Sequence, residues 1–163
     1  MKDLLLLRHA KSSWEDSELS DFDRPLNARG KRDAPRIGKI ILKERLKPEC
    51  IISSSAARAR STADIVAERC KYKGKISSTR SLYAATPQEY INALQSLNDD
   101  YTRVLVVGHN PAIVELIEML TGVAESIPTC ALAYIKLPVK KWKGLRLETK
   151  SELVKIWRPK ELV

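Results

Sequence analysis

Two uninterrupted aliphatic runs, LLLL at 4–7 and VLVV at 104–107, set the strongest limit on how this chain can fold. Neither alternates with polar residues, so neither suits a strand with one face in water. Four to six residues is also too short for a buried helix. Such runs belong to central strands of a largely parallel sheet that is covered on both faces. Each ends abruptly in nitrogen-rich side chains: Arg8-His9 after the first, Gly108-His109 after the second.

The remaining pattern agrees with an α/β chain. Residues 11–25 (KSSWEDSELSDFDRP) are polar and acidic and read as a loop. Apolar positions Ala34, Ile37, Ile40, Ile41 and Leu46 predict an amphipathic helix between about 28 and 46. Pro35 inside that span argues for a start near the proline. A short strand at 49–54 precedes a helix near 57–70, and a weaker strand lies at 76–80. Thr86-Pro87 caps a helix over 87–97, and Asn110-Pro111 opens another to about Leu120. Residues 131–137 and 152–157 predict a closing antiparallel pair. The expected architecture is a single domain over 1–163, a three-layer α/β/α sandwich with a mainly parallel central sheet and an antiparallel edge.

In open α/β sheets, ligands sit beyond the carboxyl ends of the strands. Three predicted strands end in groups suited to an anion: Arg8-His9, the segment SSSAARARSTA that puts Arg58 at a helix start, and GHNP with His109. A lone histidine is more often structural than catalytic. Here both histidines of the chain occupy such strand ends, which overturns that ordinary reading. Arg58 at a helix N-terminus opposes the macrodipole unless an anion is also there.

Taken together, LLLLRHAKS, RPLNARG, SSSAARARSTA and VVGHNP resemble the histidine phosphatase superfamily, also called phosphoglycerate mutase-like, over residues 3 to about 120. Among its members the short chain is similar to the SixA-type phosphohistidine phosphatases. The resemblance implies that His9 is transiently phosphorylated and that Arg8, Arg58 and His109 complete the phosphate pocket, without a metal or other cofactor. Ser12 matches a serine that follows the RH motif; capping of a turn explains it equally well. Arg24 and Asn27 match a loop element and rank as secondary candidates. Lys11 reads as solvated.

One departure bears on the substrate. Relatives that cleave phosphomonoesters carry a glutamate acid in an LYEA-like stretch, and the matching stretch here is SLYAAT, with Ala84 at that place. Loss of a general acid costs about 10²–10⁴-fold on alkyl esters, whose leaving oxygen needs a proton. Glu15, Asp16 and Asp21 could substitute, although loop solvation is the simpler reading of each. The expected function is therefore a metal-independent phosphatase acting on phosphohistidine in proteins. Alternatives are a phosphatase for a small phosphoester or phosphoanhydride, and a non-catalytic phosphate-binding adaptor.

Composition narrows the partners. A net charge of +9, from 29 Lys+Arg against 20 Asp+Glu, favours something anionic: a phosphorylated protein or a small phosphorylated substrate. The charges are dispersed beyond small clusters at Lys71/Lys73/Lys75 and Lys140/Lys141/Lys143. No nucleic-acid motif accompanies them, so neither nucleic acid nor membrane is expected as a partner. Cys50, Cys70 and Cys130 show no metal spacing and read as reduced thiols. With no signal-peptide pattern, the expected location is the cytoplasm.

Overall fold

The leucines at 4–7 are fully buried and divide their side chains between two cores. Leu4 and Leu6 enter one apolar cluster with Val104, Val106 and Ile52. Leu5 and Leu7 enter the other with Leu105, Val107 and Ile51. This two-sided burial is why the run cannot alternate. The computed structural model describes residues 1–162.

Six strands form one sheet: β1 (Lys2–Arg8), β2 (Cys50–Ser54), β3 (Ile76–Thr79), β4 (Arg103–Gly108), β5 (Leu132–Leu137) and β6 (Glu152–Trp157). Their order is β3-β2-β4-β1-β5-β6. The first four are mutually parallel, while β5 runs antiparallel to β1 and β6 antiparallel to β5. Residues beyond 121 therefore complete the sheet. Helices α1 (Ala28–Lys43) and α2 (Ala57–Arg69) cover one face, and α3 (Pro87–Gln95) and α4 (Ala112–Thr121) the other. The three-layer α/β architecture matches the expectation. No helix among the described residues is long and apolar enough to cross a membrane.

The start of α1 differs from the sequence reading. The helix begins at Ala28, not near Pro35, and runs through the proline. Asn27 caps it, its side-chain oxygen accepting from the Gly30 N–H at 2.9 Å. Pro35 forfeits one helical hydrogen bond and crowds the preceding turn. The buried face of Ala34, Ile37, Gly38 and Ile41 against α2 outweighs that loss. Asn27 is thus a cap and lines no part of the cavity described below. The predicted helix over 87–97 ends sooner than expected, at Gln95, while β4 ends at its glycine, Gly108. Cys50, Cys70 and Cys130 are buried and unpaired.

The register sets up the site. Arg8 pairs with Gly108 across β1 and β4, so His9 and His109 leave adjacent strands at the same level. The His9 N–H donates to the Gly108 carbonyl at 3.0 Å, extending the ladder to His9. The carboxyl ends of β1, β2 and β4 thus open side by side, where connections depart in opposite directions.

Candidate active site

A cavity of about 420 Å³ lies beyond those strand ends, and Arg8, His9, Ser12, Arg58 and His109 all line it. The five residues singled out in the sequence thus share one site. His9 and His109 are buried, with ring centroids 5.0 Å apart.

His9 is held in a defined tautomer. Its Nδ1 lies 2.8 Å from the Ala10 carbonyl, which can only accept, so Nδ1 carries the hydrogen. That leaves Nε2 with a free lone pair. Ala10 is fixed in turn: its N–H donates to Thr62 Oγ1 at 2.9 Å, and that hydroxyl donates to the Arg58 carbonyl at 2.7 Å. Thr62, from the second turn of α2, therefore ties the Ala10 peptide beside His9 to the backbone of Arg58. The Cys130 N–H closes the other side by donating to the Arg8 and His9 carbonyls.

His109 is held as firmly. Its N–H donates to the Tyr90 hydroxyl at 3.0 Å, and its Nε2 pairs with Ser54 Oγ at 2.8 Å. Gly108 permits the first contact, because a Cβ there would lie 2.0 Å from the Tyr90 oxygen. Burial pushes the Tyr90 hydroxyl up to about 12, so it stays protonated.

Arg58 is buried at the N-terminus of α2. It donates through Nη1 to the Asp21 carbonyl at 2.6 Å and through Nη2 to the Asp21 carboxylate at 3.0 Å. The same carboxylate accepts from Arg24 at 3.1 Å and from the Tyr83 hydroxyl. Tyr83, then Arg58 and Arg24, hold its pKa down at about 2. The expectation that Asp21 is ordinary solvated loop is therefore corrected: it is the hub that pins the 11–27 loop to the pocket. Arg24, a secondary candidate in the sequence, lines the same cavity. It is buried, stacks 3.5 Å from the Trp14 ring centre, and donates to Ser12 Oγ at 2.7 Å. Lys11 is half-buried in the cavity wall instead of fully solvated. Among the described residues Arg8 has no acidic partner, and it donates to the Ile127 carbonyl at 3.1 Å. The Nε atoms of Arg8 and Arg58 are buried without a hydrogen-bond partner among those residues.

Burial dominates the titration of both histidines and disfavours their charged forms, and the nearby guanidiniums add to it. His9 falls to about 3, with His109, Arg58 and Arg8 acting in the same direction and the Ala10 bond opposing. His109 falls to about 4 through burial and then Arg58. Both are neutral at pH 7.

This has a consequence for stability. The unfolded chain takes up two protons near pH 6.5 that the folded chain refuses until far lower, so stability drops as pH falls below about 6.5. Two such groups predict a loss of roughly 3 kcal/mol between pH 6.5 and 5.0. Urea unfolding in phosphate-free buffer checks it. The slope should be halved by His109→Gln, and an unchanged slope in that variant would refute the assignment. Asp21 is shifted in the same direction and also costs stability as pH falls, but only below its usual range, outside this window.

Residues 4–82 match the model of the histidine phosphatase superfamily, branch 1. The chain belongs to that superfamily. An uncharacterised chloroplastic protein of Arabidopsis thaliana is 31% identical over 148 residues, which are 85% of this chain and 68% of that one. A solved structure from Agrobacterium tumefaciens, provisionally named phosphohistidine phosphatase SixA, superposes with a TM-score of 0.82 at 27% identity, covering 97% of this chain and 98% of its own. A protein histidine phosphatase SixA solved with tungstate gives a TM-score of 0.84 at 19% identity, with 99% of both chains covered. In this histidine phosphatase the superfamily's sequence match stops at 82, whereas the structural likeness runs through His109 and the antiparallel edge.

Proposed function

We propose that this phosphatase works without a metal, through a phosphohistidine on His9, and removes phosphate from phosphohistidine in proteins. The observation that carries the reading is His9 itself: a neutral imidazole whose Nδ1–H is engaged and whose Nε2 is free, fixed between two arginines. Nε2 attacks phosphorus and the bond from phosphorus to the substrate nitrogen breaks, the substrate ring, protonated beforehand on its other nitrogen, leaving as neutral imidazole. Water then attacks phospho-His9, the bond to Nε2 breaks, and inorganic phosphate departs. Arg8 and Arg58 hold the phosphoryl oxygens with fixed forked donors, and His109 stabilises the charge that develops on them.

Substrate preference follows from the missing acid. Ala84 lines the cavity where a carboxylic acid would stand. Asp21, the carboxyl group in the wall, is held ionised by Tyr83, Arg58 and Arg24, so it has no proton to give. An alkoxide leaves with a basicity close to that of water's conjugate base, pKa ~15.7. A phosphohistidine ring protonated on its other nitrogen leaves as neutral imidazole, whose conjugate acid has a pKa of ~6.5, and needs no dedicated donor at the scissile nitrogen. The phosphoramidate is therefore the substrate class that this wall can serve. The name carried by the Agrobacterium tumefaciens neighbour supports the same reading.

The test is hydrolysis in the presence of chelator, with a phosphohistidine-bearing protein and an alkyl phosphomonoester compared side by side. The phosphoramidate is expected to turn over about 10²-fold or more faster relative to its uncatalysed rate. Alkyl ester cleavage at an equal or greater rate would reveal an acid and return the small-phosphoester reading.

A further inference from the structure

We propose that Trp14 is the platform on which the imidazole of phosphohistidine lies while its phosphoryl group is held by Arg8 and Arg58. The proposal rests on the reading of the His9 pocket given above, and adds to it the residue that selects a ring-bearing substrate.

Trp14 lines the cavity, yet it is 72% exposed. An indole left in water forgoes most of the gain that burial would give it. Most of the surrounding wall is charged or polar. Its phenolic ring, Tyr83, is already engaged: Phe22 and His109 meet it edge to face, with ring centres 5.0 and 5.6 Å away. Among the described residues the Trp14 ring packs on no other aromatic ring.

The attitude of the indole is fixed. Arg24 Cζ lies 3.5 Å from the ring centre. The ring atoms themselves block so close an approach in the plane, so the guanidinium covers one face. The exposure therefore belongs to the opposite face and the edges. Arg24 is held in turn, donating to Ser12 Oγ at 2.7 Å and to the Asp21 carboxylate at 3.1 Å. The backbone ahead of the ring is tied down as well. Ser12 and Leu26 form an antiparallel bridge, and the Ser13 N–H donates to the Pro25 carbonyl at 2.8 Å. An apolar face held still in this way costs little further ordering when a ligand covers it.

The chemistry of the pocket says which ligand. The two arginines take the phosphoryl oxygens, and the group beyond phosphorus shares the cavity with Trp14. In phosphohistidine that group is a planar ring bonded directly to phosphorus. It can lie flat on an indole while the phosphoryl oxygens stay with the guanidiniums. An alkyl or amino group at the same place has no face to stack.

The test compares phenylphosphonate with methylphosphonate on the full chain, by calorimetry at a pH where both are dianions. Neither has a bond that this chemistry cleaves, and they differ in the ring bonded to phosphorus. The wild type is expected to bind phenylphosphonate about five- to tenfold more tightly. Trp14→Ala should erase that preference and leave methylphosphonate within about twofold of its wild-type affinity, and Trp14→Phe should keep most of the preference. Equal affinities in the wild type, or a preference that survives Trp14→Ala, would overturn the proposal. So would an equal weakening of both ligands in Trp14→Ala, which would mean that the indole serves only to hold Arg24. Hydrolysis of phosphohistidine alongside equal phosphonate affinities would sink the platform and leave the phosphatase reading intact. A ring preference lost in Trp14→Ala, in a protein that hydrolyses no phosphohistidine, would sink that reading and keep Trp14 as part of a binding site.

Discussion

His9→Ala is expected to lower phosphohistidine hydrolysis by about 10⁴-fold or more while leaving the fold in place. The imidazole supplies the only nitrogen lone pair aimed into the pocket from the end of β1, and its tautomer is locked by the Ala10 carbonyl. Without it, hydrolysis must proceed by direct attack of water. Arg8, Arg58 and His109 remain to bind and polarise the phosphoryl group, so a residual rate above the uncatalysed one should persist. Rapid quenching with labelled substrate gives the second readout. The wild type should trap a label that is stable in base and labile in acid, as a phosphorus–nitrogen bond requires, and the variant should trap none. Activity within tenfold of wild type, or a label retained by the variant, would remove His9 from the role of nucleophile.

The central part of this site was legible because its chemistry is tied to strand ends. The runs at 4–7 and 104–107 read as buried strands, and their pairing as parallel neighbours in the fold brings His9 and His109 together. The supporting groups were not legible, for physical reasons that differ. Asp21 sits among acidic and polar loop residues and reads locally as solvent-facing. Its partners Arg58 and Tyr83 lie 37 and 62 positions away, and only the folded loop joins them. Ser54 and Thr62 are small hydroxyl residues within otherwise ordinary elements, and their roles depend on which side chain the adjacent strand presents. Tyr90 lies on the buried face of α3 and reads as core; the adjoining glycine, Gly108, was the available sign of a close approach. The Pro35 discrepancy has the reverse logic. There a sound local rule was overridden by packing of α1 on α2, and the Asn27 cap upstream was the signal that set the true start.

Arg58→Ala is the other change expected to have a large effect, about 10³-fold on kcat/KM. Three losses coincide. The phosphoryl group loses a forked, permanently charged donor. Asp21 loses two of its bonds and keeps Tyr83 as its partner outside the 11–27 loop, so the loop is held less firmly over the pocket. The positive field that helps to keep His9 and His109 neutral is weakened. The third loss separates a role in the reaction from simple damage. Removing a cation that depresses a histidine pKa raises that pKa, so the acid limb of the kcat/KM profile should move to higher pH. Arg58→Lys restores the charge and not the fork: it should hold the limb near its wild-type position while recovering only part of the rate. A fall in rate with no movement of the limb in Arg58→Ala would mean that Arg58 acts only by anchoring Asp21. In that case Asp21→Asn should reproduce the whole effect, whereas a direct role on phosphate predicts that Asp21→Asn, which leaves the guanidinium in place, keeps most of the activity.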